Sequence, residues 1–222
     1  MIRRFLVLAV IPALLASSAC PALAETQNNK QQLRVMGLYQ RGNQLLSARR
    51  YAEAERSFLD ALKLAPNIAP IHHGLGLVYM QTQDYELAVI HLEEALRLEP
   101  DTVKTLFTLA KAYASVGESK RAWEAYGKVI QLDPHHEGAH QDLAGIYYRE
   151  KNWDKALEYL KRARDINPSS SHTLMLIGVT GLHAGQVDIA LEAVTDLKRI
   201  GEPAKARRLE YLVYSSKEKQ GV

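Results

Sequence analysis

His136, Glu137 and His140 stand in the spacing H-E-x-x-H. On a continuous helix that spacing puts two imidazoles on one face as zinc ligands, with the glutamate poised on the bound water. The chemistry would be peptide hydrolysis, and it needs both histidines inside the helix and a third ligand from elsewhere. His72, His73 and His91 form a second cluster that could gather around a metal, although adjacent positions on a helix do not face one direction. Trp123 and Trp153 are candidate anchors for a bound partner. No glycine-rich phosphate loop follows a strand-like run, and no local motif marks out a Ser/His/Asp set. What these residues can do depends on the elements that carry them.

Those elements repeat. Ala54, Ala88, Ala122, Ala156 and Ala190 recur every 34 residues, and Pro66, Pro100, Pro134 and Pro168 keep the same interval. A period of this size marks a solenoid, in which one supersecondary unit stacks on the next. Taken literally it gives five units: 35–68, 69–102, 103–136, 137–170 and 171–204. The eighth position of each is small (Gly42, Gly76, Ala110, Ala144, Gly178), and the twenty-fourth is bulky (Phe58, Leu92, Tyr126, Leu160, Val194). The eleventh carries Leu45, Tyr79, Tyr113, Tyr147 and Gly181; the seventh carries Leu75, Leu109, Leu143 and Ile177, with Arg41 as the exception.

Apolar spacing of three and four within each half-unit predicts two helices of about 14 and about 13 residues, each with one buried stripe. Small residues let the pair approach closely, and large ones fill the space around the contact. Each proline ends the second helix, because it lacks an N–H and its ring clashes with the preceding turn. The turns within the pairs fall at Arg49-Arg50, Gln83-Asp84, Gly117-Glu118, Lys151-Asn152 and Gly185-Gln186. Gly117, Asn152 and Gly185 are the residues there that suit a left-handed backbone. After Pro203, the residues 204–216 form a further helix whose stripe is Ala206, Leu209, Leu212 and Val213, while Lys205, Arg207, Arg208 and Glu210 mostly face away. It would cap the last core, with 217–222 as a disordered tail.

The pattern closely resembles the tetratricopeptide repeat, W-x2-L-G-x2-Y, then A-x3-F, then P, over about 170 residues in five copies in phase. The resemblance implies an all-α fold: a right-handed α-solenoid of five antiparallel helix pairs with a C-terminal capping helix. In this phase His136 lies in a connection, and His72 and His140 occupy a position that the family fills with a packing residue. The zinc-peptidase reading of His136, Glu137 and His140 therefore stands only as a remote alternative. Trp123 and Trp153 likewise fall at packing positions. The expectation is a protein without catalytic residues, metal or cofactor.

The first 24 residues have another character. Arg3 and Arg4 precede an apolar run from Phe5 to Leu15, and Ala22-Leu23-Ala24 is an A-x-A ending. This describes a secretory leader cut after Ala24, with a run too short for the roughly 20 residues that span a bilayer. Residues 25–34 are a polar lead-in to the first unit. Cys20 is the only cysteine and would leave with the leader. The mature chain of 198 residues would carry 26 basic and 25 acidic side chains and no thiol. No block of like charge points to nucleic acid or a membrane surface. The alternative is an outer-membrane lipoprotein, of pilus or secretion type, tethered through Cys20, although Ser17, Ser18 and Ala19 before it and Pro21 after it match a lipidation signal poorly.

In the family the first helix of each pair lines a concave groove. The matching positions here are Tyr39, Asn43 and Leu46; His73, Leu77 and Met80; Lys104, Phe107 and Lys111; Gln141, Tyr148 and Arg149; and Met175, Val179 and Leu182. This apolar and aromatic mixture with scattered donors suits an extended peptide or a partner helix better than a polyanion. Chaperone-binding members hold a terminal carboxylate with a Lys/Asn/Arg clamp. Asn43 and Lys104 match that clamp, whereas Tyr39, Gly74 and Thr108 do not. The segment from Leu174 to Leu182 is apolar almost all round, which leaves Met175, Val179 and Leu182 over: either the final helix folds back over them, or another protein covers them, a partner or a second copy held through the fifth repeat. The expected role is a periplasmic protein–protein scaffold that assists assembly of a larger complex.

Overall fold

A residue before proline is pushed out of the helical region by the proline ring, and this sets where the second helix of each pair stops. In the computed structural model, which describes residues 21–220 and the side chains of 27–216, Ala65, Glu99, Asp133 and Asn167 each leave the helix. Their φ lies between −131° and −147° and ψ near +90°, and each donates a last N–H four residues back. The described residues contain eleven helices and no strand. The leader's apolar run and Cys20 lie outside the described residues.

The chain divides into two compact units, one ending at Asn67 and one beginning at Ile68. In the first, α1 (Pro21–Ser47) packs antiparallel on α2 (Tyr51–Leu64). The stripe Ala54, Ser57, Phe58 and Ala61 of α2 is buried, and the Phe58 ring fills the notch at Gly42. A Cβ on Gly42 would come within 2.6 Å of that ring. The polar lead-in at 25–34 is helical from its start as part of α1, and no proline after Pro21 interrupts the helix before Ser47.

The second unit contains α3 (Ala69–Thr82) and α4 (Tyr85–Leu98), α5 (Val103–Ser115) and α6 (Ser119–Leu132), α7 (Glu137–Arg149) and α8 (Trp153–Ile166), α9 (Ser171–His183) and α10 (Val187–Arg199), then α11 (Pro203–Gln220). Within this unit each helix packs on its neighbours in the chain, and α11 also reaches back to α9. The five repeated alanines are at 0 % exposure, so no side chain larger than a methyl fits where the helices of a pair cross. Leu92 fills the notch at Gly76 as Phe58 does at Gly42. In the last pair the notch at Gly178 is filled not by Val194 but by Leu209 of α11. Gly181 replaces the tyrosine of the other pairs because Ile189 and the Gln186 carbonyl come within about 3.2 Å of where its Cβ would lie.

Two expectations are corrected here. The left-handed residue is the first of every turn: Arg49, Gln83, Gly117, Lys151 and Gly185 all have φ between +59° and +87°. Asn152 instead has φ −88° and caps α8 by accepting from the Lys155 N–H. The closing bond from the residue after each left-handed one, such as Asn152 N to Tyr147 O at 2.9 Å, holds the geometry irrespective of residue type. A left-handed non-glycine residue costs on the order of 1 kcal/mol. Lys151→Gly should therefore raise stability by about 0.5–1 kcal/mol in urea unfolding, and a loss would contradict this account of the turn. The tail also differs. The helix α11 continues through Gln220, because Lys217, Glu218, Lys219 and Gln220 are good helix formers and no glycine intervenes before Gly221.

Candidate interaction surface

The H-E-x-x-H string serves the junction between helix pairs. His136 is the N-cap of α7, outside the helix, and its Nδ1 accepts from the Ala139 N–H at 3.1 Å. His140 is 3 % exposed, and its Nε2 lies 3.0 Å from the Pro134 carbonyl oxygen. The Glu137 carboxylate accepts from Gln141, Asn167 and Thr173 at 2.7, 3.0 and 3.2 Å. These bonds hold its pKa below the ordinary glutamate value against the opposing effect of burial. A carboxylate so engaged is no free base, and the two imidazoles do not share a helix face. The zinc-peptidase alternative fails on this geometry.

The expected groove residues fall in several environments. On α1, Tyr39, Asn43 and Leu46 are half-buried, and Tyr39 leans on Phe58 at 6.1 Å between ring centroids. On α3, His73, Leu77 and Met80 are half-buried. His73 Nδ1 lies 3.1 Å from Thr105 Oγ1, and its Nε2 is buried without a partner. Phe107 packs on Tyr126 and His136, with Lys111 over its ring at 5.6 Å and Lys104 exposed. Gln141 is tied to Glu137 and Thr173, and Arg149 is exposed. Tyr148 meets Trp153 and His183 edge-on. Met175, Val179 and Leu182 are half-buried against the core of the last pair. Of the two tryptophans, Trp153 packs as expected. Trp123 is 44 % exposed, and its indole N–H donates to the Tyr147 hydroxyl at 2.8 Å.

His73 is a neutral group. Burial, reinforced by the nearby Lys104 ammonium, lowers its pKa from 6.5 to about 4. As pH falls the unfolded chain protonates first, so the associated stability is complete above pH 6.5 and is lost toward pH 4. Urea unfolding across that window should show a steeper loss for wild type than for His73→Gln. Parallel curves would contradict this assignment.

A cleft of about 360 Å³ opens where α7 and α9 run side by side. Gln141, Gly145 and Tyr148 form one wall and Met175, Leu176, Val179 and Thr180 the other; Ala144 and Leu160 also line it. Arg208 of α11 stands at its edge. A Cβ on Gly145 would meet nothing within 4 Å, so this glycine leaves open space. Its volume lies within the range of ligand sites, as does its largely apolar lining with a few polar groups. The arginine escaped the sequence reading because its own helix face points away from the core; only the docking of Leu209 beside it brings it to the cleft.

Antiparallel helix pairs locked by small-into-large contacts define a helical-repeat protein. The tetratricopeptide repeat models match residues 39–101 and 117–178, and the chain belongs to that family. It is 33 % identical over 104 residues to the Hsp70-Hsp90 organizing protein of Triticum aestivum, covering 47 % of this chain and 18 % of that protein. It is 26 % identical over 148 residues to the type IV pilus assembly protein PilF of Pseudomonas aeruginosa, covering 65 % of this chain and 59 % of the relative. The chain thus spans less than two thirds of either relative. Among solved structures, the TPR protein YrrB, described as having an unusual peptide-binding site, superposes with a TM-score of 0.67 at 20 % identity, covering 85 % of this chain and 96 % of that one. MamA from Desulfovibrio magneticus superposes with a TM-score of 0.70 at 17 % identity, covering 75 % and 94 %. These likenesses show the fold. Among the described residues no helix is long and apolar enough to cross a membrane.

Proposed function

We propose that the protein is a non-enzymatic scaffold of the bacterial cell envelope that captures a peptide or helix of a protein partner in the cleft between α7 and α9. The observation that carries this is an apolar cleft left open beside a complete core. The helix α11 caps the last pair through Ala206, Leu209 and Val213, and Met175 and Val179 still line the opening. An apolar side chain of the partner would seat beside Gly145, and an acidic group on it would meet Arg208. YrrB's described peptide-binding site and PilF's role in pilus assembly favour protein capture in the service of assembly. The organizing of Hsp70 and Hsp90 for which the Triticum aestivum relative is named is less apt, because Tyr39, Gly74 and Thr108 lack the clamp groups.

Gly145→Leu tests the cleft without disturbing the core. It should fill the open space and raise stability by about 0.5–1 kcal/mol, since glycine is costly inside a helix. Met175→Asp is less clean, because Met175 also packs on the core. Peptides selected from a displayed library on wild type should lose binding to Gly145→Leu; peptides that bind both equally would place recognition elsewhere. The leader pattern supports periplasmic export, with mass spectrometry of the mature chain expected to find Glu25 first. A lipid-modified Cys20 would favour the anchored alternative instead. Self-association through the same face would appear in light scattering as oligomers that Gly145→Leu disperses.

A further inference from the structure

The second and fourth repeats of the chain carry the same ring stack with one difference. In the fourth, Tyr147 stacks on Tyr159 at 5.5 Å, and the His140 ring lies 6.0 Å from that of Tyr159. In the second, at the equivalent positions, Tyr79 stacks on His91 at 5.5 Å, and His72 lies 5.4 Å from His91. The exchange of tyrosine for histidine at residue 91 changes the chemistry. It brings two imidazoles of different helices together with their Nδ1 atoms 3.1 Å apart. His72 is buried on α3 and His91 half-buried on α4. The pair opens to an accessible cleft of about 580 Å³ whose other walls are Ile90, Glu93, Glu94 and Arg97.

We propose that His72 and His91 bind a divalent late first-row transition-metal ion (Cu²⁺, Ni²⁺ or Zn²⁺) through their two Nδ1 atoms. Imidazole is a ligand of choice for these ions. Metal–nitrogen bonds of about 2.0–2.1 Å put two ligand nitrogens roughly 2.9 Å apart at a right angle and about 3.35 Å apart at the tetrahedral angle. The observed separation falls between those values, but the 5.4 Å between ring centroids shows that the two Nδ1 atoms face each other head-on, so each ring must swing by roughly 20–40° to turn its lone pair onto a shared ion. The two Nδ1 atoms are within hydrogen-bonding distance of each other, and coordination requires that any proton shared between them move away so that each Nδ1 offers its lone pair. Glu94 stands one turn from His91, but its two oxygens take the Arg97 guanidinium at 2.7 Å. Among the described residues no third His, Cys, Asp or Glu completes a cage. The remaining positions belong to water, and the site is an open one. The affinity order should follow Cu²⁺ above Ni²⁺ and Zn²⁺.

Isothermal titration of tag-free, metal-stripped protein with NiCl₂ and ZnCl₂ tests the site. One ion per chain is expected. His91→Tyr should weaken binding by at least about tenfold, the loss that even indirect damage to a metal site produces, while His135→Gln leaves it unchanged. His91→Tyr is the apt variant because Tyr159 fills the same place in the fourth repeat; circular dichroism checks that it folds. A second readout needs no variant: in wild type, substoichiometric Cu²⁺ should broaden the imidazole resonances of His72 and His91 before those of His135, His172 and His183. Absence of saturable binding, binding that persists in folded His91→Tyr, or broadening that begins at another histidine would overturn the site.

Discussion

Leu209→Ala is expected to lower the stability of the protein by about 2–5 kcal/mol, the range for removing a fully buried leucine and leaving a cavity. Leu209 is at 0 % exposure, and its branched end occupies the place a side chain at Gly178 would need. Without it, among the described residues, α11 keeps only Ala206 and Val213 as fully buried contacts. In a repeat protein each element is held by its neighbours alone, so the damage should begin locally: α11 loosens first and uncovers Leu174 and Ile177 of α9. Urea unfolding followed by circular dichroism should show a lower midpoint, and hydrogen exchange should show α11 and α9 opening before α3–α6. A midpoint equal to wild type would mean that α11 does not close the fold.

Ala122→Leu acts at the middle of the chain by the opposite mechanism. Ala122 is at 0 % exposure where α6 crosses α5. Three added carbons have no room and must push the pair apart, at a cost of about 1–3 kcal/mol. Helix propensity offsets almost none of this, since leucine and alanine are both good helix formers. The same substitution at Ala52, exposed on α2, should cost less than about 0.5 kcal/mol. Equal losses at the two positions would contradict the placement of the alanine belt.

The alanine belt and the terminating prolines were legible because each follows from a local rule repeated in phase. A methyl-sized gap between crossing helices and a ring that bars the helical region leave the same mark in every copy. The turns were legible in place but not in detail. Lys151 takes the left-handed conformation although Asn152 beside it tolerates that conformation better, because the fixed bond from Asn152 N to the Tyr147 carbonyl outweighs a local preference of about 1 kcal/mol. The histidines were only half legible. Their repeat positions placed His72 and His140 in packing sites, but whether a neighbouring ring is tyrosine or histidine matters only once two helices bring the rings together. The cleft shows the same limit. Met175 and Val179 could be read from the period, whereas Arg208 reaches the opening from a helix that the repeat does not govern.

Partner capture is proposed at the open face between α7 and α9. Photo-crosslinking in the native envelope tests it most directly, with a benzophenone side chain placed at Gly145 in one variant and at exposed Leu191 of α10 in another. A discrete crosslinked species containing a second polypeptide is expected from position 145, and none from position 191. Crosslinks from position 191 with none from position 145 would contradict it.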